Sequence, residues 1–326
     1  MSKTLSIYIG RFQPLHNGHL YVLKHAREIG DTLVLIGSAT EARSIKNPFP
    51  TSIVKEMLKP YTTYMEEISD YPFDDSPWLA EIQEKVSKYD YKYDNVYIIG
   101  HDKDESSYYL KSFPQWTLKN IDNYKKINAT TIREELFKGI ISDKLIPENV
   151  ANIIREFMKT QEWQERIEEY RDHIKMKEAW SKAPYEPIFV TTDCVVICNG
   201  HVLLVVRGGN PGKGLFALPG GFLDGKLTIQ ESAIKELREE TRIKLPKSVL
   251  NGSIKRVEVF DKPDRSTRGR TVTHAFLLQL NEAELPKVKG GDDAKKAFWI
   301  PLSKVKENRS MMFEDHFHII RKLTNI

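Results

Sequence analysis

The chain is poor in cysteine: its 326 residues contain two, Cys194 and Cys198. Four positions apart in a run that reads as a strand, they would stand about 13 Å apart on one face, beyond the reach of a disulfide. They read as small buried apolar residues, and a reducing cytoplasm suits them. Long hydrophobic runs are also missing. The longest, such as Leu33 to Ile36 and Val195 to Cys198, fall far short of the roughly 18 residues that span a bilayer. The start of the chain carries one early lysine and an alternating Leu5, Ile7, Ile9 pattern, with no apolar segment of the kind that directs export, so no membrane partner is expected. Neither sign of charge dominates: 49 Lys and Arg against 45 Asp and Glu leave a net +4. That balance gives no reason to expect a nucleic-acid partner and excludes an acidic tail. Internal repeats, heptads and low-complexity segments are absent.

What is present suits a soluble globular protein, with 40% hydrophobic and 29% charged residues. The length points to two domains. Leu5 to Gly10, Thr32 to Gly37 and Asn95 to Gly100 each read as a short strand ending in glycine, and a helical pattern separates the first two. Strand, helix, strand is the unit of a parallel sheet, so an α/β, Rossmann-like first domain is expected over residues 1–170. From Ile132 to about Trp180 the pattern is helical and charged. The prolines of Ala183-Pro184-Tyr185-Glu186-Pro187 cannot continue a helix, which makes 171–186 the expected helical linker. Beyond it, over 187–326, Val190 to Cys198 and Val202 to Arg207 are joined by Asn199-Gly200, a tight-hairpin signal. With further strands at Ser253 to Phe260 and Thr271 to Leu280 and a helix between Thr228 and Ile243, this half reads as an α+β domain.

Gly10-Arg11-Phe12-Gln13-Pro14-Leu15-His16-Asn17-Gly18-His19 follows the first strand and feeds a helix. Such a turn offers unpaired N–H groups and a positive dipole end to a phosphate chain, and two histidines can add donors. An isolated HxxH is as readily a metal pair or two surface histidines. In this sequence the string GRFQPLHNGHL resembles the signature of the HxGH-type nucleotidyltransferase superfamily, and within it the archaeal-type nicotinamide-mononucleotide (NMN) adenylyltransferases. Asn128-Ala129-Thr130-Thr131-Ile132-Arg133 is similar to that family's second phosphate motif, and Gly100-His101-Asp102-Lys103-Asp104 lies at a strand end. The resemblance implies an ATP site of Gly10, Arg11, Phe12, His16, Gly18, His19, Asn128, Thr130 and Arg133. His16 and His19 would hold the phosphates and Arg11 and Arg133 would neutralise the leaving pyrophosphate, with Mg²⁺ between its oxygens. Attack of a mononucleotide phosphate on ATP needs positioning and charge neutralisation more than a covalent nucleophile. Trp78 is the candidate to stack on the nicotinamide ring, with packing as its plainer alternative, and Asp102 is a second candidate NMN contact. Trp116 reads as core. Pro50 and Val54 depart from the family pattern, where Thr and Arg are expected.

A second motif begins at Gly220-Gly221 and leads into a helix carrying Lys235-Glu236-Leu237-Arg238-Glu239-Glu240-Thr241. At 100° per residue Glu236, Glu239 and Glu240 occupy one sector, and three carboxylates so close repel unless a cation sits among them. Hard oxygen ligands suit Mg²⁺ or Mn²⁺. The plainer reading is a solvated charged helix. The spacing resembles the Nudix box, and Leu218-Pro219-Gly220-Gly221 with Gly290-Gly291-Asp292-Asp293-Ala294 resembles its ADP-ribose pyrophosphatase branch. Three positions depart from the box: Leu227 for a glutamate, Lys235 for the arginine and Arg242 for a glycine. Glu231 is out of register to replace the lost glutamate. The resemblance implies a metal site of Glu236, Glu239, Glu240 and the Gly220 carbonyl, with Asp292 or Asp293 as the base. Arg265, Arg268 and Arg270 form a basic turn that reads as a solvated hairpin tip, or as a contact for a diphosphate or a second subunit of a homo-oligomer. Gly212-Lys213-Gly214 lacks the flanking residues of a Walker loop and reads as a flexible loop beside the pocket.

Together the two resemblances imply a bifunctional enzyme. One half makes NAD and pyrophosphate from ATP and NMN; the other hydrolyses ADP-ribose to AMP and ribose 5-phosphate. The alternative keeps the transferase and makes the second domain a ligand sensor or interaction module.

Overall fold

The computed structural model describes residues 2–101, 105–122, 124, 125 and 127–325. The chain divides into two compact units, Met1–Glu168 and Glu169–Ile326. No helix among the described residues is long and apolar enough to cross a membrane.

The first unit is built on a five-stranded, wholly parallel sheet of β1 (Thr4–Gly10), β2 (Asp31–Ile36), β3 (Tyr64–Glu67), β4 (Asn95–Gly100) and β5 (Thr117–Asn120), in the order β3-β2-β1-β4-β5. Helices α1 (Asn17–Ile29), α2 (Thr51–Leu58), α3 (Asp75–Ser87), α4 (Ala129–Phe137) and α5 (Glu148–Phe157) complete it, and α6 (Gln161–Trp180) continues across the division. Parallel strands covered on both faces read as near-continuous apolar runs. Leu5, Ile7, Leu33, Leu35 and Ile98 are accordingly fully buried in one core. The chain runs outward from β1 on one side and from β4 on the other, so the carboxyl end of β1 is the switch point where ligands of such sheets bind. Val54, in place of the expected arginine, is buried in α2, and Pro50 stands immediately before that helix without a side-chain capping bond.

The second unit holds β6 (Phe189–Cys198), β7 (His201–Arg207), β8 (Phe216–Ala217), β9 (Gly220–Phe222), β10 (Ile254–Phe260), β11 (Thr271–Leu280) and β12 (Ala294–Pro301). Helices α7 (Ile229–Thr241), α8 (Lys247–Gly252) and α9 (His316–Thr324) pack with them. The Asn199-Gly200 turn has both residues at positive φ, 46° and 72°, as a tight hairpin requires. Yet β6 and β7 pair only at Ile197↔Val202 and Cys198↔His201 before they part. Beyond that point β6 takes β11 as a parallel partner along its whole length and β9 on its other edge, while β7 takes β12 and β8. The sheet is therefore mixed rather than made of hairpins alone, and its splayed centre opens a cavity. Cys194 and Cys198 are free and buried, as their spacing suggests. Helix α6 occupies residues 171–180 of the segment expected to act as a linker.

Candidate active sites

In the first unit the GRFQPLHNGH loop is held by its own side chains. Phe12 adopts φ 52° and is buried, with its ring against Tyr8 at 5.5 Å and His19 at 4.9 Å. A Cβ at Gly10 would come within 2.9 Å of that ring, so glycine is required where β1 ends. His16 caps α1: its Nδ1 accepts from the N–H groups of Gly18 at 3.1 Å and His19 at 3.4 Å. Its own N–H donates to His19 Nδ1 at 3.3 Å, and the two rings stack at 3.6 Å. A Cβ at Gly18 would lie 3.1 Å from His16 Nδ1, which explains the glycine between the histidines.

Because both Nδ1 atoms accept, both imidazoles carry their proton on Nε2. Burial keeps them neutral: it pushes His16 down to about 4, and lowers His19 well below the usual histidine range with His16 adding to the effect. Two neutral rings therefore present N–H donors beside a helix N-terminus.

The second helix start is brought alongside. Asn128 caps α4 by accepting from Thr130 N–H at 2.8 Å. Arg133 donates to the Gln13 carbonyl at 2.8 Å and the Thr130 hydroxyl at 3.1 Å. No carboxylate pairs with Arg133 among the described residues. Burial first, and then the charge of Arg11, holds its guanidinium down to about 10. Two arginines close enough to repel, next to two helix N-termini, make a site that favours an anion. Trp78 lies in the first turn of α3, half-buried against Tyr109 and Phe113, with centroids at 5.8 and 6.3 Å. Its packing role is thus visible. Trp116 is core, stacked on Phe113 at 4.6 Å. Asp102 lies outside the described residues.

In the second unit the double glycine is a matter of clearance. A Cβ at Gly220 would lie 2.9 Å from Asp193 Oδ1, and one at Gly221 would lie 2.7 Å from Glu236 Oε2. Thr228 and Glu231 form a capping box at the start of α7, which is where Glu231 is used. Glu236, Glu239 and Asp292 bring carboxylate oxygens within 4.8 Å of one another. Asp292, at φ 48°, arrives there because the Gly290-Gly291 turn presses onto the end of α7, with Gly291 N–H bonded to the Glu240 carbonyl at 3.0 Å. Asp293 lines the cavity.

Glu240 stands apart from that trio. It is buried, accepts from the Gly220 N–H at 2.9 Å, and is pushed up to about 8, chiefly by burial. Burial and then the neighbouring Glu239 raise Glu236 as well, with Asp292 and Asp293 adding. Burial thus disfavours the charged forms of Glu236 and Glu240, and a divalent cation among these oxygens would offset that cost. Lys235 occupies the place of the box arginine and pairs with Asp224 at 3.0 Å and Glu239 at 3.9 Å.

The cavity beside this cluster measures about 310 Å³. Arg207 and Arg268 flank the Phe313 ring at 4.0 and 5.8 Å, and Arg268 also covers Phe222 at 5.2 Å. Met176 of α6 lines the same cavity, and Asn210 in its rim donates to Asp172 at 2.9 Å. The expected solvated tip is corrected here for two of its three arginines. Arg265 is buried in a two-pronged pair with Asp315, at 2.8 and 2.7 Å, and Arg268 faces the cavity. Sequence reasoning missed Asp193, Arg207, Phe222 and His316 as lining residues, because no local pattern marks them.

Comparison with known proteins assigns each half of the chain to a family. The cytidylyltransferase-like family model matches residues 7–192 and the NUDIX domain model residues 188–323. A solved structure of a bifunctional NMN adenylyltransferase/ADP ribose pyrophosphatase from Francisella tularensis, complexed with AMP and a manganese ion, is 38% identical. It covers 100% of this chain and 99% of its own, with a TM-score of 0.93. The nicotinamide/nicotinic acid mononucleotide adenylyltransferase of Acinetobacter baylyi is 30% identical over 51% of this chain and 92% of its own length. The ADP-ribose pyrophosphatase of Methanocaldococcus jannaschii is 37% identical over 40% of this chain and 70% of its own.

Proposed function

The chain belongs to the cytidylyltransferase-like family through its first unit and to the NUDIX family through its second, and from that membership we propose that it is a bifunctional enzyme of NAD metabolism. The first unit joins ATP and NMN to give NAD and pyrophosphate. The second hydrolyses ADP-ribose to AMP and ribose 5-phosphate. The observation that carries this reading is the full-length likeness to the Francisella protein.

In the first unit, His16 and His19 donate Nε2–H to the ATP phosphates while Arg133 and Arg11 take up the charge that develops on the leaving pyrophosphate. Gly10, Gly18, Asn128 and Thr130 shape the two helix starts, and Phe12 supports the ring of His19. Trp78 and Asp102 are the proposed contacts to NMN. In the second unit Glu236, Glu239 and Glu240, with the Gly220 carbonyl, hold Mg²⁺ or Mn²⁺, and Asp292 joins them through its proximity to Glu236 and Glu239. Such a cation neutralises the diphosphate oxygens and acidifies the attacking water. Asp293 is then the acidic group left to accept that water's proton.

Incubation of the protein with ATP, NMN and Mg²⁺, and separately with ADP-ribose and Mg²⁺ or Mn²⁺, followed by chromatography, tests both halves. Absence of NAD in the first mixture, or of AMP in the second, overturns the corresponding half. A second reading, in which the NUDIX unit binds its ligand without turnover, is favoured by Leu227 at the place of a box glutamate. Turnover that Glu240→Gln removes rejects it.

A further inference from the structure

The cavity of the second unit contains two buried polar groups that the proposed hydrolysis does not use. Asp193 on β6 and His316 at the start of α9 are each 6% exposed, and both line the cavity. The Thr273 hydroxyl donates to Asp193 Oδ2 at 2.5 Å, and the Leu218 N–H donates to His316 Nδ1 at 2.9 Å. Those bonds define what is left over. With Nδ1 accepting, the imidazole proton resides on Nε2. Burial keeps the ring neutral, pushing it down to about 4. Asp193 Oδ1 and His316 Nε2 then stand 3.9 Å apart, too far for a hydrogen bond, and neither atom has another hydrogen-bond partner among the described residues. The nearby cation Arg265 gives two of its donors to Asp315. An acceptor and a donor left open at the wall of a cavity are available to a ligand that enters it.

One kind of group fits the gap. An oxygen lying about 2.8 Å from both atoms would see them at an angle of roughly 90°, near the arrangement of a hydroxyl's proton and lone pair. A phosphate oxygen only accepts, and would meet the Asp193 carboxylate with repulsion. An exocyclic amine would serve Asp193 and leave the His316 N–H unanswered. We propose that Asp193 and His316 together bind a ribose hydroxyl of the nucleotide substrate, making the second unit selective for ribose over deoxyribose and over 2′-phosphorylated sugars. The inference rests on the hydrolase reading above and specifies its substrate class. Loss of one hydrogen bond to a charged group corresponds to about 10- to 100-fold in kcat/KM.

The test uses the full-length protein with ADP-ribose, with analogues lacking one hydroxyl at each ribose position in turn, and with the 2′-phosphorylated form. Rates are measured with Mg²⁺, and Kd by calorimetry with Ca²⁺ in its place. The expected result is a fall of about 10- to 100-fold for one deoxy analogue, whose position says which ribose is held, and a similar or larger fall for the 2′-phosphate if it is the adenosine ribose. Asp193→Asn and His316→Gln should lower kcat/KM for ADP-ribose while leaving that analogue nearly unchanged, so the ratio between the two substrates collapses. A purely structural role would slow every substrate by one common factor, and that outcome overturns the proposal. So does hydrolysis of every deoxy analogue within twofold of ADP-ribose, which leaves the hydrolase reading standing. If a variant lacks a cooperative melting transition, the analogue series on the unaltered protein decides by itself. Neither binding nor turnover of any member overturns both readings.

Discussion

His16 does two jobs that substitution can separate. Its Nδ1 caps α1 and its Nε2–H is free to donate. Asparagine keeps an acceptor at the cap position, whereas alanine removes it, so His16→Ala should cost about 1 kcal/mol in a denaturant melt and His16→Asn much less. Both should lower adenylyl transfer by roughly 10²- to 10³-fold, because neither side chain reaches the place of the imidazole Nε2–H donor. The same residue makes the first unit acid-sensitive. The unfolded chain takes up a proton near pH 6.5 that the folded one refuses until about 4, so the contribution is complete above 6.5 and is lost as pH falls through that window. It is on the order of 3 kcal/mol, and a thermal melt followed from pH 7 to pH 4 should show it, with the slope reduced in His16→Asn. Arg242 ends α7 at φ 48°, where the Nudix pattern has glycine. Arg242→Gly relieves that conformation and should stabilise the second unit by about 1 kcal/mol, read as a raised Tm.

At the scale of elements, α6 is the place where sequence and structure part most usefully. Its far end brings Met176 to the cavity wall and Asp172 to Asn210. A chain shortened to begin at residue 187 should therefore bind ADP-ribose with a KM raised about 5- to 10-fold relative to one beginning at residue 169, the equivalent of about 1 kcal/mol. Equal KM values would remove α6 from the site. The strands that were legible, β1, β2, β4, β6, β7, β10 and β11, carry apolar or alternating runs long enough to announce themselves. Edge strands β3 (Tyr-Met-Glu-Glu) and β5 (Thr-Leu-Lys-Asn) carry no such pattern, and the apolar residues of β12 (Ala-Lys-Lys-Ala-Phe-Trp-Ile-Pro) are broken by two lysines. The carboxylates of α7 were legible because one helix fixes their spacing. Asp292 was legible only through the resemblance, as a candidate base; Arg265 paired with Asp315 and Asp193 facing His316 were not legible, since each joins segments that only the completed sheet brings together.

For the whole molecule, the two sites have no side chain in common among the described residues, each being built within its own unit. Glu239→Gln should abolish ADP-ribose hydrolysis and leave NAD synthesis within twofold, while His19→Ala should do the reverse; coupled losses in either variant would show communication between them. The ladder between β6 and β11 runs in register from Phe189↔Thr271 to Cys198↔Leu280, with β7, β8, β9, α7, α8 and β10 intervening in the chain. During synthesis the ribosome releases β6 long before β11 exists, so this apolar strand must wait without its longest partner while the preceding sheet can already close. That interval makes the nascent second unit the stretch most in need of a chaperone's protection.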